Sequence, residues 1–273
     1  MTISKQATRR KLRPPVKWHG GKHYLARQII ETFPEHHTYV EPFGGAASVL
    51  LNKEPAPVEV YNDLDTRITR LFRVIRDHSD EFQRRLSLTP YSEIEFNNAV
   101  DPEGDEIEQA RCDFVRWRMS LGGRGDSFSF TLHRVRRLMA DVVSGYLSAI
   151  DEQLPLIVER LRTVEIVSRP ACEVIKKWDA ADTLFYCDPP YLHSTREQNS
   201  RDVYGYEMTE SEHRELADSL HNCEGKVVVS GYPSELYTEL FEGWWRMDIN
   251  IANHAAGGKT KSREVECLWF NYE

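Results

Sequence analysis

Short apolar runs, rich in β-branched and aromatic side chains, recur along the chain and are separated by polar and turn-forming residues. Such runs are typical of buried β-strands. The predicted strands span residues 38–41, 58–61, 164–167, 183–187, 226–230, 244–251 and 265–271. Most are separated by helix-like stretches, at residues 24–32, 46–52, 172–178 and 209–222. Strands that alternate with helices predict an α/β fold with a doubly wound, mostly parallel sheet.

This alternation stops between residues 66 and 162, where no strand is evident. Amphipathic, helix-like segments lie there at residues 67–77, 106–120 and 131–150, around a glycine- and serine-rich centre at 121–127. We therefore predict an inserted helical subdomain at residues 66–162, and one further domain formed by residues 1–65 and 163–273.

The composition is that of a globular protein, because 40% of the 273 residues are hydrophobic and 29% are charged. The net charge is −8, from 35 basic and 43 acidic residues. The basic residues are unevenly distributed, with eight Lys and Arg in residues 1–40 and seven Arg in residues 111–137. These two basic regions are compatible either with a face that contacts nucleic-acid phosphates or with an ordinary solvated surface.

Several classes of protein are disfavoured by what the chain lacks. No apolar run approaches the roughly 18 residues that a membrane span needs, so we expect a cytoplasmic protein with no membrane partner. The five cysteines include no C-x-x-C pair, and the ten histidines show no metal-ligand spacing. We therefore expect reduced thiols and no metal.

Residues 39–49 predict a strand, a glycine turn and the start of a helix. At Gly44 and Gly45 the backbone can approach a ligand closely, and a helix N-terminus would add free N–H groups. Asp63 ends the next strand, 18 residues after Gly45, at about the distance where a carboxylate binds a ribose diol in doubly wound folds. Together these signals predict an adenosine-containing cofactor. The alternative is a tight turn followed by a surface aspartate.

A second glycine-containing segment, Lys-Trp-His-Gly-Gly-Lys, precedes the first strand at residues 17–22. It is not a P-loop, because His23 stands where Ser or Thr is required. Two interpretations stay open. The loop either presents the indole of Trp18 and the ammonium of Lys22 to a ligand, or it is an ordinary turn before a helix.

The most specific signal is Asp188-Pro189-Pro190-Tyr191, at the end of an apolar strand. Proline lacks an N–H group, so the Asp188 carboxylate and the Pro189 carbonyl are left as hydrogen-bond acceptors. Two acceptors suit a group that only donates, such as an exocyclic amine. Tyr191 adds an aromatic face on which a base can stack.

Taken together, these motifs resemble those of the Dam-like (D12) class of DNA adenine-N6 methyltransferases, which use S-adenosylmethionine. In chain order the matching motifs are Lys17-Trp18-x-Gly20-Gly21-Lys22, Glu41-Pro42-Phe43-x-Gly45-Ala46, Asn62-Asp63 and Asp188-Pro189-Pro190-Tyr191. The chain departs from the family pattern at Gly44, where a larger residue is usual, and at Ala47, where a second glycine is common. We expect a modest change in backbone fit there, without loss of binding.

The resemblance implies a Rossmann-like class I methyltransferase fold that transfers a methyl group to N6 of a flipped-out adenine in double-stranded DNA, with S-adenosylhomocysteine as the product. It implies a catalytic role for Asp188, Pro189, Pro190 and Tyr191. It implies cofactor contacts from Trp18, Lys22, Glu41, Pro42, Phe43, Gly45, Ala46, Asp63 and Asp188. The insertion lies where this class keeps its DNA-recognition subdomain. A partner restriction nuclease is a candidate, and a monomer is favoured.

Basic residues in the insertion and near the C-terminus are candidates for phosphate and base contacts. We single out Arg124, Arg134, Arg137, Arg196 and Lys259. Arg124 is flanked by glycines, which favours a position at the tip of a loop that enters a groove. Solvated surface positions are the alternative for each of them.

Three other functions stay open from the residues alone. The same loop chemistry would serve a methyltransferase that acts on cytosine N4 or on RNA adenine, because both present an exocyclic amine. A DNA-binding module with a decayed active site is disfavoured by the intact Asp63 and Asp188. A nicotinamide-dependent oxidoreductase is disfavoured by the missing G-x-G-x-x-G motif.

Overall fold

The computed structural model describes residues 11–18, 20–191, 208–252 and 263–273. The strands in these ranges are β1 (Thr38–Glu41), β2 (Val58–Asn62), β3 (Val135–Arg136), β4 (Met139–Ala140), β5 (Val164–Val167), β6 (Thr183–Cys187), β7 (Lys226–Gly231), β8 (Trp245–Ala252) and β9 (Arg263–Phe270). The α-helices are α1 (Ala26–Ile30), α2 (Thr66–Asp77), α3 (Ser79–Ser87), α4 (Glu93–Asn98), α5 (Glu106–Met119), α6 (Asp141–Ser148), α7 (Leu154–Leu161), α8 (Ala171–Trp178), α9 (Glu210–His221) and α10 (Glu235–Leu240).

Seven strands form one sheet, in the order β5-β2-β1-β6-β7-β9-β8. The first five strands of this order pair in parallel, and β9 runs antiparallel to both of its neighbours. The predicted doubly wound, mostly parallel sheet is therefore confirmed. All seven predicted strands are present, with ends that differ by two residues at most.

The centre of the sheet is apolar because helices cover it. All five residues of β6 are buried, as expected for a parallel strand with no solvated face. Phe185 of β6 and Val229 of β7 belong to one apolar core with Ile175 of α8 and Leu220 of α9. This packing gives the strand ends a rigid support.

Strand order reverses between β1 and β6, which are neighbours in the sheet but far apart in sequence. Before this point the chain moves outward through β2 and β5, and after it the chain moves in the opposite direction through β6 and β7. Open α/β sheets leave a crevice at such a point, outside the carboxyl ends of the strands. Here that edge carries the segments that follow Glu41, Asn62 and Cys187.

Three of the four predicted intervening helices are confirmed. The stretch at 24–32 contains α1, the stretch at 172–178 is α8, and the stretch at 209–222 is α9. The N-terminus of α9 is a capping box, in which Thr209 accepts from the backbone N–H of Glu212 and the Glu212 carboxylate accepts from the Thr209 N–H at 2.7 Å. A capping box satisfies two N–H groups that have no partner within the helix.

The predicted helix at 46–52 is wrong, because the structure forms hydrogen-bonded turns there. Leu51 N–H donates to Ala47 O at 3.0 Å, and Lys53 N–H donates to Val49 O at 2.9 Å. Ala47 itself has a φ of +56°, a left-handed conformation that a right-handed helix cannot contain. The loop after β1 therefore continues into turns, and the expected helix N-terminus is missing at this position.

The predicted helix at 131–150 is wrong over its first half. Residues 135–140 form an antiparallel hairpin of β3 and β4, and the helix α6 begins only at Asp141. The two turn residues, Arg137 and Leu138, have φ values of +53° and +62°, as required in a two-residue hairpin turn. Apolar residues in this segment recur with helical spacing, but the hairpin leaves Leu132, Val135 and Leu138 exposed.

The other predicted helical segments of residues 66–162 correspond to α2 and α5. By its internal contacts the chain divides into two compact units. The first comprises Met1–Arg27, Ala46–Glu54 and Val74–Arg162, and the second comprises Gln28–Gly45, Pro55–Arg73 and Thr163–Glu273. The second unit contains the whole seven-stranded sheet. The predicted boundaries at residues 66 and 162 stay a prediction.

The helices are short. The longest in the described ranges is α5, with 14 residues. Among the described residues, no helix combines the length and the apolar character that a membrane crossing requires.

Candidate active site

The loop after β1 begins with a buried carboxylate. Glu41 is only 2% exposed and accepts a hydrogen bond from the Tyr39 hydroxyl at 2.6 Å. Pro42 is buried behind it, and the Phe43 ring packs against the core beneath the sheet. Gly45 then takes a positive φ of +46°. These contacts fix the start of the loop to which the sequence assigned cofactor contacts.

Asn62, the last residue of β2, fastens this loop to its neighbours. Its fully buried Nδ2 donates to Pro42 O at 2.7 Å and to Arg169 O at 3.0 Å, and its Oδ1 accepts from Arg169 N–H at 2.8 Å. An amide is suited to this position because it offers both donors and an acceptor. One side chain thereby links the segments that follow β1, β2 and β5. Sequence reasoning noticed Asn62 only as the neighbour of Asp63.

Asp63 lies against the glycine turn, so the structure brings together the two residues of the predicted ribose site. Its Oδ2 accepts from Gly45 N–H at 2.8 Å, and its Oδ1 accepts from Asp65 N–H at 2.8 Å. Burial raises the pKa of Asp63 from 3.8 to about 6, although the two N–H donors act in the opposite direction. Asp63 therefore changes charge within the range in which enzymes are assayed.

The identity of Gly44 is explained by Tyr61 of β2. A Cβ atom on Gly44 would lie 2.2 Å from Cε2 of the Tyr61 ring, which is closer than real atoms approach. The ring is fully buried, and its hydroxyl donates to Gly45 O at 2.6 Å. A larger residue, as is usual in the family pattern at this position, does not fit while Tyr61 occupies this space.

The loop after β6 carries the Asp-Pro-Pro-Tyr motif. Asp188 is partly buried, and its Oδ1 accepts from the Ser230 hydroxyl at 2.8 Å and lies 3.3 Å from the Tyr191 hydroxyl. Pro189 is buried and Pro190 is half-buried. Because β6 lies beside β1, this loop begins at the same edge of the sheet as the glycine turn.

Tyr191 is held on two sides. Its hydroxyl donates to Oε1 of Glu266 at 2.5 Å, and its ring lies 4.6 Å from the Tyr232 ring, centroid to centroid. Burial beside Asp188 and Glu266 raises the pKa of Tyr191 well above its usual value, so the hydroxyl keeps its proton and remains a donor. The side chain is only 7% exposed. The predicted stacking of a base on this ring stays a prediction.

Sequence reasoning missed Ser230 and Glu266. Both are buried polar residues that have apolar neighbours in their strands, β7 and β9. A polar residue inside a buried strand is a weak signal in a single sequence, because its partner is not apparent. The partners here are 42 and 75 residues away along the chain.

The Lys-Trp-His-Gly-Gly-Lys segment belongs to the first compact unit. The Trp18 ring meets the Trp117 ring edge to face at 5.3 Å, and Lys17 Nζ donates to Ser120 O at 3.2 Å. Lys22 is buried, and its Nζ donates to Gly20 O at 3.1 Å. The predicted contact of Trp18 and Lys22 with the cofactor stays a prediction.

The candidate DNA-contacting residues have different surroundings. Arg124 and Arg134 are exposed, whereas Arg137 pairs with Glu152. Arg196 and Lys259 lie outside the described residues. Two other arginines of this region bind the protein's own backbone. Arg116 donates to Phe96 O and Gly125 O, and Arg118 donates to Gly145 O.

In the described part of the chain, no three His, Cys, Asp or Glu side chains come together as metal ligands would. The expectation that no metal takes part stays a prediction.

Comparison with known proteins gives the family. The model of the D12 class N6 adenine-specific DNA methyltransferase matches residues 18–120 and 147–255. A DNA adenine methylase of Serratia marcescens is 24% identical over 271 residues, which cover 94% of this chain and 93% of the relative. A DNA adenine methylase of Haemophilus influenzae is 22% identical over 265 residues, covering 88% and 87%. The Type II methyltransferase M1.LlaDCHI of Lactococcus lactis subsp. cremoris is 26% identical over 288 residues, covering 96% of each.

The fold is α/β, and the segments that carry three of the motifs follow strands at one edge of its mostly parallel sheet. The chain belongs to the D12 class N6 adenine-specific DNA methyltransferase family. The predicted enzyme class, an adenine-specific DNA methyltransferase, is thereby confirmed.

The contact between Gly44 and Tyr61 gives a first prediction. Gly44→Ala forces a methyl group into the Tyr61 ring, and overpacking of this kind costs about 1–3 kcal/mol. We expect a lower free energy of unfolding in urea denaturation and weaker binding of an adenosine ligand. The matched control is Gly145→Ala, in α6, where a Cβ atom meets nothing within 4 Å. It should leave stability unchanged or raise it. Equal stability of the two variants would show that the ring does not exclude a side chain at residue 44.

Proposed function

We propose that this methyltransferase moves a methyl group from S-adenosylmethionine to N6 of an adenine that has left a DNA duplex, and that the loop Asp188–Tyr191 holds the amine. One observation carries the proposal. The loop in which Asp188 and the Pro189 carbonyl are acceptors begins beside the glycine turn, at the point where strand order reverses. Ligands of open α/β sheets bind at such points.

The residues at this edge fit S-adenosylmethionine. Glu41, Asp63 and Asp188 place carboxyl groups at the ends of three neighbouring strands, and the cofactor carries a positive sulfonium. A carboxylate accepts about four hydrogen bonds, so Asp63 retains acceptor capacity for ribose hydroxyls beside its bonds to Gly45 and Asp65. When bound, the cofactor supplies the methyl group and leaves as S-adenosylhomocysteine, and the amine releases one proton, which passes to solvent.

The remaining cofactor contacts are assigned by resemblance to the family motifs. They are Pro42, Phe43, Gly45 and Ala46 along the turn, and Trp18 and Lys22 in the segment before the first strand. The Gly45 backbone is held by Asp63 and Tyr61, which supports a turn that is already formed before the cofactor binds. A preformed site loses less conformational entropy on binding.

The chemistry assigned to the protein is positioning together with electrostatics. The adenine amine is a poor nucleophile because its lone pair is conjugated with the ring. Asp188 and the Pro189 carbonyl accept its two hydrogens, which turns the lone pair away from conjugation and towards the methyl group. Correct placement of reacting groups is worth about 7–11 kcal/mol of the barrier, so the orientation of the Asp188 carboxylate decides much of the rate.

The hairpin of β3 and β4 is the proposed DNA contact. Arg136 is exposed on it and Arg134 is exposed directly before it, and both suit phosphates. Leu138 is fully exposed at the tip, where an apolar side chain can act as a wedge between base pairs. Removing a base from the stack costs a few kcal/mol, and such a wedge offsets part of that cost. Arg124, on an exposed loop, is a further candidate for base contact.

The substrate is double-stranded DNA in this proposal, and we therefore expect the protein to work in the cytoplasm. A partner restriction nuclease and a monomeric state stay predictions.

The central experiment incubates the protein with S-adenosylmethionine and unmethylated DNA of mixed sequence, followed by mass spectrometry of the nucleosides. We expect N6-methyladenine from the wild type and none from Asp188→Ala. The matched control is Asp182→Ala, which removes an exposed carboxylate before β6 and should leave the yield unchanged. N4-methylcytosine as the product would contradict the adenine assignment, and an active Asp188→Ala variant would contradict the assignment of the loop.

The raised pKa of Asp63 predicts a pH dependence. Because the folded pKa of about 6 lies above the ordinary value of 3.8, the free protein loses stability as pH rises between these values. Ribose hydroxyls donate to the ionised carboxylate, so binding follows the opposite trend. Between pH 5 and 7.5 the ionised fraction rises about tenfold for a pKa near 6. We expect the Kd of S-adenosylhomocysteine, measured by calorimetry, to fall by about the same factor. Asp63→Asn should bind weakly with no such slope, and an unchanged slope in that variant would assign the titration to another group.

The hairpin is tested through the salt dependence of DNA binding. Each phosphate contact adds about one unit to the slope of log K against log salt. We expect the double variant Arg134→Ala/Arg136→Ala to bind duplex DNA more weakly, with a slope reduced by about two. Arg162→Ala, which removes an exposed arginine at the end of α7, is the control. A slope equal to that of the wild type would rule out phosphate contacts at the hairpin.

A further inference from the structure

One face of the sheet carries buried polar side chains that converge on the Asp-Pro-Pro-Tyr loop. They are Tyr186 of β6, Ser230 of β7 and Glu266 of β9, and none is more than 3% exposed. The opposite face of the same strands is apolar, with Cys187, Val229, Cys267 and Trp269 in one core cluster. The polar residues are thus confined to the side from which the loop is contacted.

The first of these contacts is a chain of hydroxyl groups that ends on Asp188. Ser230 Oγ lies 2.8 Å from Asp188 Oδ1, and Tyr186 Oη lies 3.2 Å from Ser230 Oγ. Asp188 as a carboxylate can only accept, so Ser230 uses its single proton for this bond. Tyr186 must then donate to Ser230. Burial raises the pKa of Tyr186 well above its usual value, which keeps that proton in place.

The second contact fixes the other end of the loop. Glu266 Oε1 accepts from the Tyr191 hydroxyl at 2.5 Å, a short distance typical of a bond to a charged acceptor. The same hydroxyl lies 3.3 Å from Asp188 Oδ1. With its single proton donated to Glu266, the Tyr191 hydroxyl does not also donate to Asp188, so Glu266 fixes the position of this hydroxyl beside the Asp188 carboxylate.

The stability of a sheet of this kind does not require these residues. Burial of a hydroxyl or carboxyl group is unfavourable unless the group is hydrogen-bonded, and replacing a buried, paired ionic set with apolar residues often leaves a protein equally stable or more stable. Their shared target is the loop that holds the amine. If these residues orient that loop, this role explains why they are buried and why they lie on the face of the sheet that contacts the loop.

We propose that Ser230 and Glu266 are positioning residues for methyl transfer, with Ser230 fixing the rotation of the Asp188 carboxylate and Glu266 fixing the loop through the Tyr191 hydroxyl. This inference rests on the proposed role of Asp188. The Tyr191 hydroxyl then positions the loop through its hydrogen bond to Glu266. This role is separate from the stacking of a base on the Tyr191 ring.

The test measures single-turnover methyl transfer to bound DNA at saturating S-adenosylmethionine, together with the Kd values of S-adenosylhomocysteine and DNA and the Tm. We expect Ser230→Ala and Glu266→Leu each to slow the transfer by roughly ten- to a hundredfold, the scale of a misplaced reacting group. Both Kd values should stay within about twofold, because the two residues are assigned to the chemical step rather than to binding. Exposed positions supply the controls Ser211→Ala and Glu242→Leu, which should transfer at the wild-type rate.

Two further variants separate positioning from packing. Glu266→Gln keeps an acceptor oxygen for Tyr191 and should restore most of the rate lost in Glu266→Leu. Tyr191→Phe keeps the ring and removes the hydroxyl, so it should be as slow as Glu266→Leu. The double variant Tyr191→Phe/Glu266→Leu should be no slower than either single variant, because both remove one interaction. If the rate losses of the two single variants multiply in the double variant, the two residues act independently, which contradicts the proposal.

The outcomes also distinguish this inference from the proposed function. If Asp188→Ala is inactive while Ser230→Ala and Glu266→Leu transfer at the wild-type rate, only the positioning role is overturned. If Asp188→Ala itself is active, the proposed role of the loop in holding the amine is overturned, and the positioning role falls with it. If a slow variant is explained by a lowered Tm and recovers its rate at a lower temperature, the residue is structural and the inference is wrong.

Discussion

The hydrogen bonds of the Asn62 side-chain amide are the interaction on which the loop after β1 depends. Its three hydrogen bonds tie the loop after β1 and the segment after β5 to the end of β2. A parallel sheet places strand ends at one edge, but the segments that follow them are irregular and need their own restraints. Asn62 supplies that restraint from a fully buried position. Asp63, the next residue, then holds the Gly45 N–H, so two consecutive side chains shape the turn.

Charge is divided between parts of the chain to which different ligands are proposed to bind. The unit that contains the sheet places Glu41, Asp63, Asp188 and Glu266 at or near its carboxyl edge, which suits a cationic cofactor and an amine that donates. The exposed hairpin of the other unit carries arginines, which suit a polyanion. An overall charge of −8 is therefore compatible with DNA as the substrate, because the total says little about the local field.

Backbone strain is located at the same places as the assigned functions. Among the described residues, the non-glycine positions with positive φ are Ala47, Arg137 and Leu138. Ala47 lies just after the glycine turn, and the other two form the tip of the exposed hairpin. Left-handed conformations of such residues cost of order 1 kcal/mol or more each. At Ala47 the conformation explains why glycine is common in the family pattern, and here a buried methyl group takes its place.

The sequence by itself determined the fold class, the order of the strands along the chain and the four motifs. Buried parallel strands are continuous apolar runs, and turn motifs are contiguous, so both are visible locally. The tertiary structure decided the rest. The hairpin at 135–140 formed where apolar spacing favoured a helix, and Ser230 and Glu266 gained a role only through Asp188 and Tyr191, which lie 42 and 75 residues away. Hydrogen bonds between distant residues depend on strand order and register, which a single sequence does not encode in any one segment.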